Sequence, residues 1–287
     1  MMEKICIIFV LVQFAFVATA KDCDKARCPI IPKHYEEMGC EAVKDEDGCC
    51  VKSFKCLDMK TRDVNKCYYK DEVYEIREDL KESQLAGMCD GNCVCSEPWD
   101  GRPAEFVCAH IECPEFFHGP DPSKKCIRQY DNEHCCAVNT VCDEETATLS
   151  KCEFEGKTYH EGQKMYPKDL CYSCFCTKDY NNTIRIEENP SCKRIDCGIT
   201  LRNTGRLSEG CIPVYYKKET CCPIGWRCPG EKHQIPNENF KNLSNSEPTC
   251  KFGKMEFNIG DKLPSPDQNC QECFCSVPPM LHCIEKC

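Results

Sequence analysis

Cysteine is the residue type in this chain that could support the most chemistry, with 33 cysteines among 287 residues. Two Cys-x-x-Cys pairs, Cys171 with Cys174 and Cys270 with Cys273, have the spacing of zinc ligands or of a dithiol redox centre. Zinc is disfavoured because the cysteines outnumber any set of tetrahedral sites and the chain has only 7 histidines. A thioredoxin-like centre needs a βαβ context, which the sequence lacks. Disulfide bonding is the remaining chemistry, and it requires an oxidising compartment.

The first 20 residues have the features of a secretory signal peptide. Lys4 precedes the apolar run ICIIFVLVQFAFV, and Ala18-Thr19-Ala20 forms a small-residue cleavage site before Lys21. A membrane anchor is the alternative, but this run is at the short limit for a span and no second run of about 20 apolar residues follows. We therefore predict a secreted, extracellular protein without membrane insertion. Cleavage would remove Cys6 and leave an even number of cysteines, 32.

The composition indicates a protein without one large hydrophobic core. After cleavage about one residue in eight is Cys, a level typical of disulfide scaffolds, and the other apolar residues are scarce for a globular domain. Each disulfide contributes roughly 2 to 4 kcal/mol to such a fold. The net charge of −10 opposes contact with phosphate backbones and anionic lipid, so we predict no nucleic-acid partner.

Catalytic motifs are lacking in the sequence. The histidines His110, His118, His134 and His160 lie among acidic or aromatic residues, without a nucleophile motif, a metal-protease motif or a phosphate-binding loop near them. We interpret them as surface or loop histidines. The prediction is a protein that is not an enzyme and has no catalytic site, cofactor or metal site.

The cysteines recur in one order: one alone, a cluster of three, a pair separated by four residues, one alone, a doublet and a final cysteine. Two stretches have the whole order, and the two ends of the mature chain have one half each. The predicted organisation is a signal peptide at 1–20, a half repeat at 23–56, whole repeats at 67–142 and 152–228, a linker at 229–249 and a half repeat at 250–287.

Between the cysteines the segments are short and partly alternating, as in KTYHEG, which is typical of two- or three-stranded antiparallel pieces. We predict a small disulfide-rich fold of mostly short antiparallel β-strands and loops, in tandem repeats without a single large core. Only residues 72–87 have a helical character, so little helix is expected. Tyr69, Phe154 and Phe252 each stand two residues after an opening cysteine and are expected in the small cores.

The whole mature chain resembles tandem von Willebrand factor type C domains, also called chordin-like cysteine-rich repeats. Residues 152–228 carry the resemblance most fully, through CYSCFC, CCPIGWRC, the single cysteines and Gly156, Tyr159 and Gly162. Residues 67–142 fit more loosely, because the cluster is CDGNCVC and CCAVNTVC lacks the proline and the aromatic residue. The two ends match as partial repeats.

The disulfide order of this family implies five bonds in each whole repeat, whereas spacing alone permits hundreds of connectivities. In residues 152–228 the implied bonds are Cys152–Cys176, Cys171–Cys221, Cys174–Cys192, Cys197–Cys222 and Cys211–Cys228. In residues 67–142 they are Cys67–Cys95, Cys89–Cys135, Cys93–Cys108, Cys113–Cys136 and Cys126–Cys142.

The two half repeats leave four cysteines without their usual family partners, namely Cys23, Cys49, Cys270 and Cys287. They can close locally, Cys23 with Cys49 and Cys270 with Cys287. They can also close across the chain, Cys49 with Cys270 and Cys23 with Cys287, which would make a covalent ring. Loop-closure entropy favours the local bonds by roughly 1.9 kcal/mol, so we predict local closure.

Two further sets of residues have a possible surface role. Asn181 and Asn242 begin N-glycosylation sequons in polar segments, and we predict a glycan on each. Aromatic pairs can act as binding anchors on small rigid domains. The candidates are Tyr68 with Tyr69, Phe116 with Phe117, Tyr215 with Tyr216, and also Tyr172 and Phe175, with Tyr172, Phe175, Tyr215 and Tyr216 preferred.

The resemblance implies an extracellular protein partner, commonly a growth factor of the TGF-β class of bone-morphogenetic type, or a matrix protein. The predicted function is therefore a secreted, non-enzymatic binding protein or modulator. A disulfide-rich protease inhibitor and a structural secreted or cuticle protein are the alternatives. Trypsin-inhibitor-like domains also have ten cysteines, but they lack the Cys-Cys doublet that occurs three times here.

Overall fold

The computed structural model describes residues 23–117, 119, 124–167, 171–217, 221–230, 247–264 and 270–287. The predicted signal peptide and Asn242 lie outside the described residues. The described residues form many short, mostly antiparallel strands in small sheets, and among them there are few helices and no large core. This confirms the predicted fold class.

All 32 cysteines from Cys23 to Cys287 are bonded, in 16 disulfides. The ten bonds of the two whole repeats are the ones that the family resemblance implies. At the ends the bonds are local, Cys23–Cys49 and Cys270–Cys287, and no covalent ring forms. Each disulfide therefore closes within one of the four cysteine-rich stretches.

The described strands are short, and only one reaches six residues. In chain order they are β1 Glu41–Lys44, β2 Val51–Lys55, β3 Cys67–Tyr69, β4 Glu72–Tyr74, β5 Asp90–Cys95, β6 Phe106–His110, β7 Cys126–Gln129, β8 Asn139–Cys142, β9 Lys151–Phe154, β10 Lys157–His160, β11 Lys164–Met165, β12 Tyr172–Phe175, β13 Cys192–Arg194, β14 Ile212–Tyr216, β15 Gly225–Arg227, β16 Cys250–Phe252, β17 Met255–Phe257, β18 Lys262–Leu263, β19 Gln271–Phe274 and β20 His282–Glu285.

Each whole repeat contains three β pieces in the same order. It opens with a tight hairpin, β3–β4 or β9–β10. The cluster of three cysteines then lies on or directly beside a strand of a small sheet, β5–β6 or β11–β12–β13. The repeat closes with a two-stranded ribbon, β7–β8 or β14–β15. The half repeat at the start has only a ribbon, β1–β2, and the one at the end has a hairpin and a cluster sheet.

The described residues contain four α-helices of about one turn each: α1 His34–Glu37, α2 Pro114–Phe117, α3 Ile199–Arg202 and α4 Thr204–Ser208. The helical character expected for residues 72–87 is wrong, because this stretch contains β4 and a 3₁₀ turn at Glu82–Gln84. The cysteine cluster requires β4 to pair with β3, and this tertiary constraint overrides the local helix propensity.

One sheet joins two cysteine-rich stretches, which the sequence did not predict. β14 of the second whole repeat lies parallel to β20 of the final half repeat, with Val214 opposite Cys283. The result is a five-stranded sheet in the order β15-β14-β20-β19-β18. The parallel pair therefore attaches the end of the chain to the second repeat without a disulfide.

In the part of the chain that the structure describes, four small apolar clusters take the place of a single core. One belongs to the opening part of the first repeat, one to that of the second, one to the final half repeat, and the fourth lies where several stretches meet. Tyr69, Phe154 and Phe252 are buried in the first three clusters, as expected. The cystines themselves fill much of each cluster, which explains how so few apolar residues suffice.

Candidate functional site

A short helical segment precedes the two-stranded ribbon in three of the cysteine-rich stretches, and the three segments differ in what they contact. They lie between Cys28 and Cys40, between Cys113 and Cys126, and between Cys197 and Cys211. The first contains α1, the second α2, and the third α3 and α4. Because the cysteine frame is the same, a comparison of these segments shows what each stretch adds to it.

α1 joins the start of the chain to its end through Tyr35, which is fully buried. The Tyr35 hydroxyl donates to the carbonyl of Val277 at 2.6 Å and accepts from the backbone N–H of Met280 at 2.8 Å. Its ring stacks on Phe54 at 4.2 Å, and the Phe54 N–H donates to the carbonyl of Pro278 at 2.8 Å. The two half repeats thus meet through non-covalent contacts.

α1 also contacts the second whole repeat. The Glu37 carboxylate accepts from the backbone N–H groups of Cys197 at 2.8 Å and Ile199 at 3.0 Å, and Lys33 donates to the carbonyl of Ile195. Burial raises the pKa of the Glu37 carboxyl, while the two N–H donors act to lower it. Glu36 pairs with Arg194 at the same junction.

Residues 196–216, which we call the hub, contact three other stretches. Leu201 packs in the cluster of the first repeat, and Ile212 and Val214 pack in that of the final half repeat. Ile199 and Leu207 pack with Met59, Met38 and Met280, from the front and back of the chain. The hub is therefore the common support of the other modules.

Polar contacts also join the first repeat to the hub. The Tyr69 hydroxyl donates to Asp196 at 2.8 Å, and burial is the main reason that the pKa of Tyr69 is raised. Arg202 pairs with the buried carboxylate of Asp90, and Arg102 lies 3.0 Å from Glu209. These bonds place the opening part of the first repeat against α3 and α4.

α2 differs from the other helices because its aromatic residues face solvent. Phe116 and Phe117 have 79% and 67% of their surface exposed. The Glu115 carboxylate accepts from the Ala137 N–H at 2.7 Å, which ties the helix to the loop after the cysteine doublet. Neighbouring phenylalanines on a helix held in this way form a preorganised apolar surface, and such aromatic residues are typical anchors of protein interfaces.

A cleft of about 1180 Å³ lies between α1, the first repeat and the cluster sheet of the second repeat. Lys164, Ser173 and Lys193 form part of its floor, and Leu85 and Met88 line another wall. Ion pairs cross its edges, including Lys70 with Asp196 at 3.4 Å. Because both carboxylates and basic groups line the cleft, its charge does not favour a ligand of one sign.

The four preferred aromatic candidates do not form one surface. Phe175 and Tyr215 are buried, with 4% and 3% exposure, so a role as surface anchors does not fit these two rings. Tyr172 is half-buried and packs against the cluster of its repeat. Tyr216 is 37% exposed. Every residue of β14 before Tyr216 is buried, and Tyr216 is exposed because it is the last residue of the strand.

The structure describes one of the two predicted glycosylation sites, Asn181. Asn181 is exposed, and its side-chain oxygen accepts from the Thr183 N–H at 2.9 Å and from the Thr183 hydroxyl at 2.7 Å. The sequon is therefore in an exposed turn, where a transferase can reach it. A glycan at Asn181 remains a prediction.

The residues considered for metal or redox chemistry are engaged elsewhere. Cys171 and Cys174 are bonded to Cys221 and Cys192, and each group of potential metal ligands in the described part of the chain contains cysteines that are bonded in disulfides. His134 lies 2.9 Å from Asp131 in an exposed pair. His110 lies 3.6 Å from Asp90, and His118 is outside the described residues.

Comparisons with known proteins found a chordin-like relative of low sequence identity. No family model matches the chain, and no solved structure matches it. Chordin-like protein 1 of Gallus gallus is 22% identical in an alignment of 208 residues that covers 67% of this chain and 39% of that protein. The chain thus spans less than half the length of this relative. Among the described residues no helix is long and apolar enough to span a bilayer.

Sequence reasoning missed the hub and the junction of α1. The segment ITLRNTGRLSEG contains only three large apolar residues, and neither its burial nor its partners can be recognised from their spacing. The pairs at the junction, such as Tyr35 with Met280, are 245 residues apart. The only available signal was that the two ends together contain the cysteines of one whole repeat.

Proposed function

We propose that the protein is a secreted, non-enzymatic binding protein that takes an extracellular protein partner on the surface formed by Phe116 and Phe117. The exposure of this pair is the observation that carries the proposal. In the equivalent segments of the chain, the apolar residues Tyr35, Ile199 and Leu201 are buried against neighbouring modules. The short-helix segment thus contacts neighbouring modules in two of its three copies. In the third copy, which contains α2, it faces solvent.

The similarity to a chordin-like protein and the number of disulfides support an extracellular role. We propose a growth factor of the TGF-β class, of bone-morphogenetic type, as the partner, with a matrix protein as the alternative of the same kind. The mechanism is stoichiometric masking or presentation of the partner's surface. Such a mechanism needs a rigid anchor and no catalytic group, and the signal peptide and a glycan at Asn181 belong to the same proposal.

The experiment is a binding measurement with immobilised full-length protein, produced by secretion, against a panel of bone-morphogenetic-type dimers and matrix proteins. Phe116→Ser/Phe117→Ser should weaken binding to the partner at least tenfold, because anchors of this kind contribute about 2 kcal/mol or more each. Tyr166→Ser is the matched control, since Tyr166 is 68% exposed on the second repeat. Its affinity should equal that of the unaltered protein.

Two outcomes would overturn the proposal. If the double variant and the control bind equally well, the anchors lie elsewhere. If no ligand of the panel binds and the protein instead inhibits a trypsin-class protease at a stoichiometric ratio, the inhibitor alternative replaces it. An unchanged circular dichroism spectrum of the double variant shows that loss of binding is not loss of folding.

A further inference from the structure

Two buried histidines lie where the front, the hub and the back of the chain meet. His34 of α1 and His282 of β20 are 0% and 5% exposed. The ring of Tyr215, from β14, lies between them, with its centre 6.0 Å from that of His34 and 5.9 Å from that of His282. The ring centre of Phe274 lies 5.3 Å from that of His282. Each imidazole is thus enclosed by aromatic rings from separate modules.

The buried surroundings of His34 favour the neutral form of its ring. The Tyr215 hydroxyl accepts from the backbone N–H of His34 at 3.3 Å and lies 3.0 Å from its Nδ1. With this hydroxyl donating to Nδ1, the ring proton belongs on Nε2. Nε2 is itself buried, without a hydrogen-bond partner in the described part of the chain. In the charged form Nε2 carries an N–H without an acceptor, and a charge lies inside an apolar junction.

The groups that face His34 offer it no negative charge. From β14 it meets the phenol of Tyr215, from β20 the imidazole of His282, and on its own helix the phenol of Tyr35. Glu37 and Lys33, which flank it in sequence, turn instead to the backbone at Cys197, Ile199 and Ile195. A charge on His34 would therefore be met by repulsion from any charge on His282 and by no counter-ion.

We propose that this junction is a pH-dependent latch, in which protonation of His34 releases the half repeat at residues 23–56 from the hub and from the final half repeat. No disulfide crosses the junction, so the module can leave as a unit that its own three bonds keep folded. Its departure also removes Lys33, Glu36 and Glu37 from the wall of the cleft. Acidic conditions thus separate the first half repeat from the hub and, at the same time, open the cleft.

The direction and size of the effect follow from linkage. Burial, with a smaller contribution from His282, lowers the pKa of His34 in the docked state from 6.5 to about 3. The docked state is therefore fully favoured above about pH 6.5, and the docked-to-released ratio falls about tenfold per pH unit below it, down to pH 3. Between pH 7.4 and pH 5.0 the fall is about 30-fold. The raised pKa of Glu37 acts with the opposite sign, since its protonation favours docking.

The test uses Trp226 as a reporter, because it packs in the cluster that contains Met38 from the front and Met280 from the back. In full-length protein carrying Trp99→Phe, with its disulfides intact, fluorescence and small-angle scattering are followed from pH 7.4 to pH 4.5. We expect a reversible red shift of the Trp226 emission and a larger radius of gyration below pH 6.5. His34→Gln keeps an acceptor for Tyr215 and cannot be protonated, so its response should be largely lost.

His160→Gln is the matched control, because His160 lies on β10, away from the junction, and it should respond as the parent protein does. The proposal is overturned if the parent protein shows no change down to pH 4.5, or if His34→Gln opens with the same midpoint. Should His34→Gln fail to fold, the imidazole of the parent protein is followed by NMR. A His34 signal that titrates near pH 6.5 while Trp226 emission stays constant also overturns it, and a joint change supports it.

Discussion

In the second whole repeat the segment between Cys197 and Cys211 lies inside the molecule, whereas in the first repeat the segment between Cys113 and Cys126 begins with α2 and exposes two phenylalanines. The disulfides at the start of the two regions close loops of nearly equal length, since Cys197–Cys222 spans 25 residues and Cys113–Cys136 spans 23. In residues 113–142 the structure describes only Cys113 as buried.

This difference shows that the cystine frame and the contacts between modules are separate properties. The frame determines the hairpin, the cluster sheet and the ribbon in both repeats. The side chains within one loop then determine whether the ribbon becomes a hub or a free surface. We expect perturbations of the frame to affect both repeats alike, and perturbations of the loops to affect them differently.

The largest expected effect is the loss of both repeats at once, which removes the difference between them. Reduction of the disulfides should unfold both repeats, because the small clusters cannot offset the ordering entropy without roughly 2 to 4 kcal/mol from each bond. Far-UV circular dichroism during titration with a phosphine reductant measures this. Treatment with EDTA alone is the control and should leave the spectrum unchanged. A collapse in EDTA would mean that metal, and not sulfur, holds the fold.

Shortening an apolar side chain should separate the two loops clearly. Leu201→Ala removes a side chain with 0% exposure and should lower the free energy of unfolding by about 2 to 5 kcal/mol. Phe117→Ala, in the equivalent loop of the first repeat, should change it by less than about 0.5 kcal/mol. Urea unfolding with the disulfides intact provides both values. Equal losses would show that the exposed and buried loops are not as different as their surfaces suggest.

Removal of one equivalent disulfide from each repeat tests the frame itself. Cys113→Ala/Cys136→Ala and Cys197→Ala/Cys222→Ala open loops of similar length, so the chain-entropy loss is about 3 kcal/mol in each. The ribbon of the first repeat has almost no buried residues and should become sensitive to proteases. The hub should stay resistant, because α3 and α4 remain packed. Cleavage sites identified by mass spectrometry after limited proteolysis distinguish this result from cleavage in both or in neither.

Gly162 of the second repeat makes one of several close contacts with the ribbon of the first repeat. The Tyr130 N–H donates to the carbonyl of Gly162 at 2.8 Å, and a Cβ on Gly162 would lie 2.3 Å from the Cβ of Gln129. Gly162→Ala should separate the two repeats locally and lower the free energy of unfolding by about 1 to 3 kcal/mol beyond its backbone strain.

Gly260→Ala provides the matched control for this glycine. Its φ is +93°, close to the +86° of Gly162, but no atom lies within 4 Å of its added Cβ. The control should therefore lose only the roughly 1 to 2 kcal/mol that a left-handed backbone costs an alanine. If the two variants were equally stable, the contact between Tyr130 and Gly162 would contribute nothing.

The parts of the structure that depend on local spacing could be predicted from the sequence. The order of cysteines, together with the family resemblance, indicated the same pairs as the structure contains, and the aromatic residues after the opening cysteines indicated the small cores. Contacts between modules could not be predicted, because they join residues such as Tyr35 and Met280 that share no local pattern. The same reason explains why Tyr215 was proposed as a surface anchor and is found between two histidines.

The meeting of the two half repeats has a mechanical consequence. If tension acts between Cys23 and Cys287, it is borne first by the short path through Tyr35, Val277 and Pro278, which bypasses the repeats between them. Hydrogen bonds and a stacked ring rupture at far lower force than a covalent bond, so this contact would act as a weak link that breaks early. The contacts of α1 and of β20 with the hub would bear the load next, and the disulfides would keep each repeat folded when these contacts part.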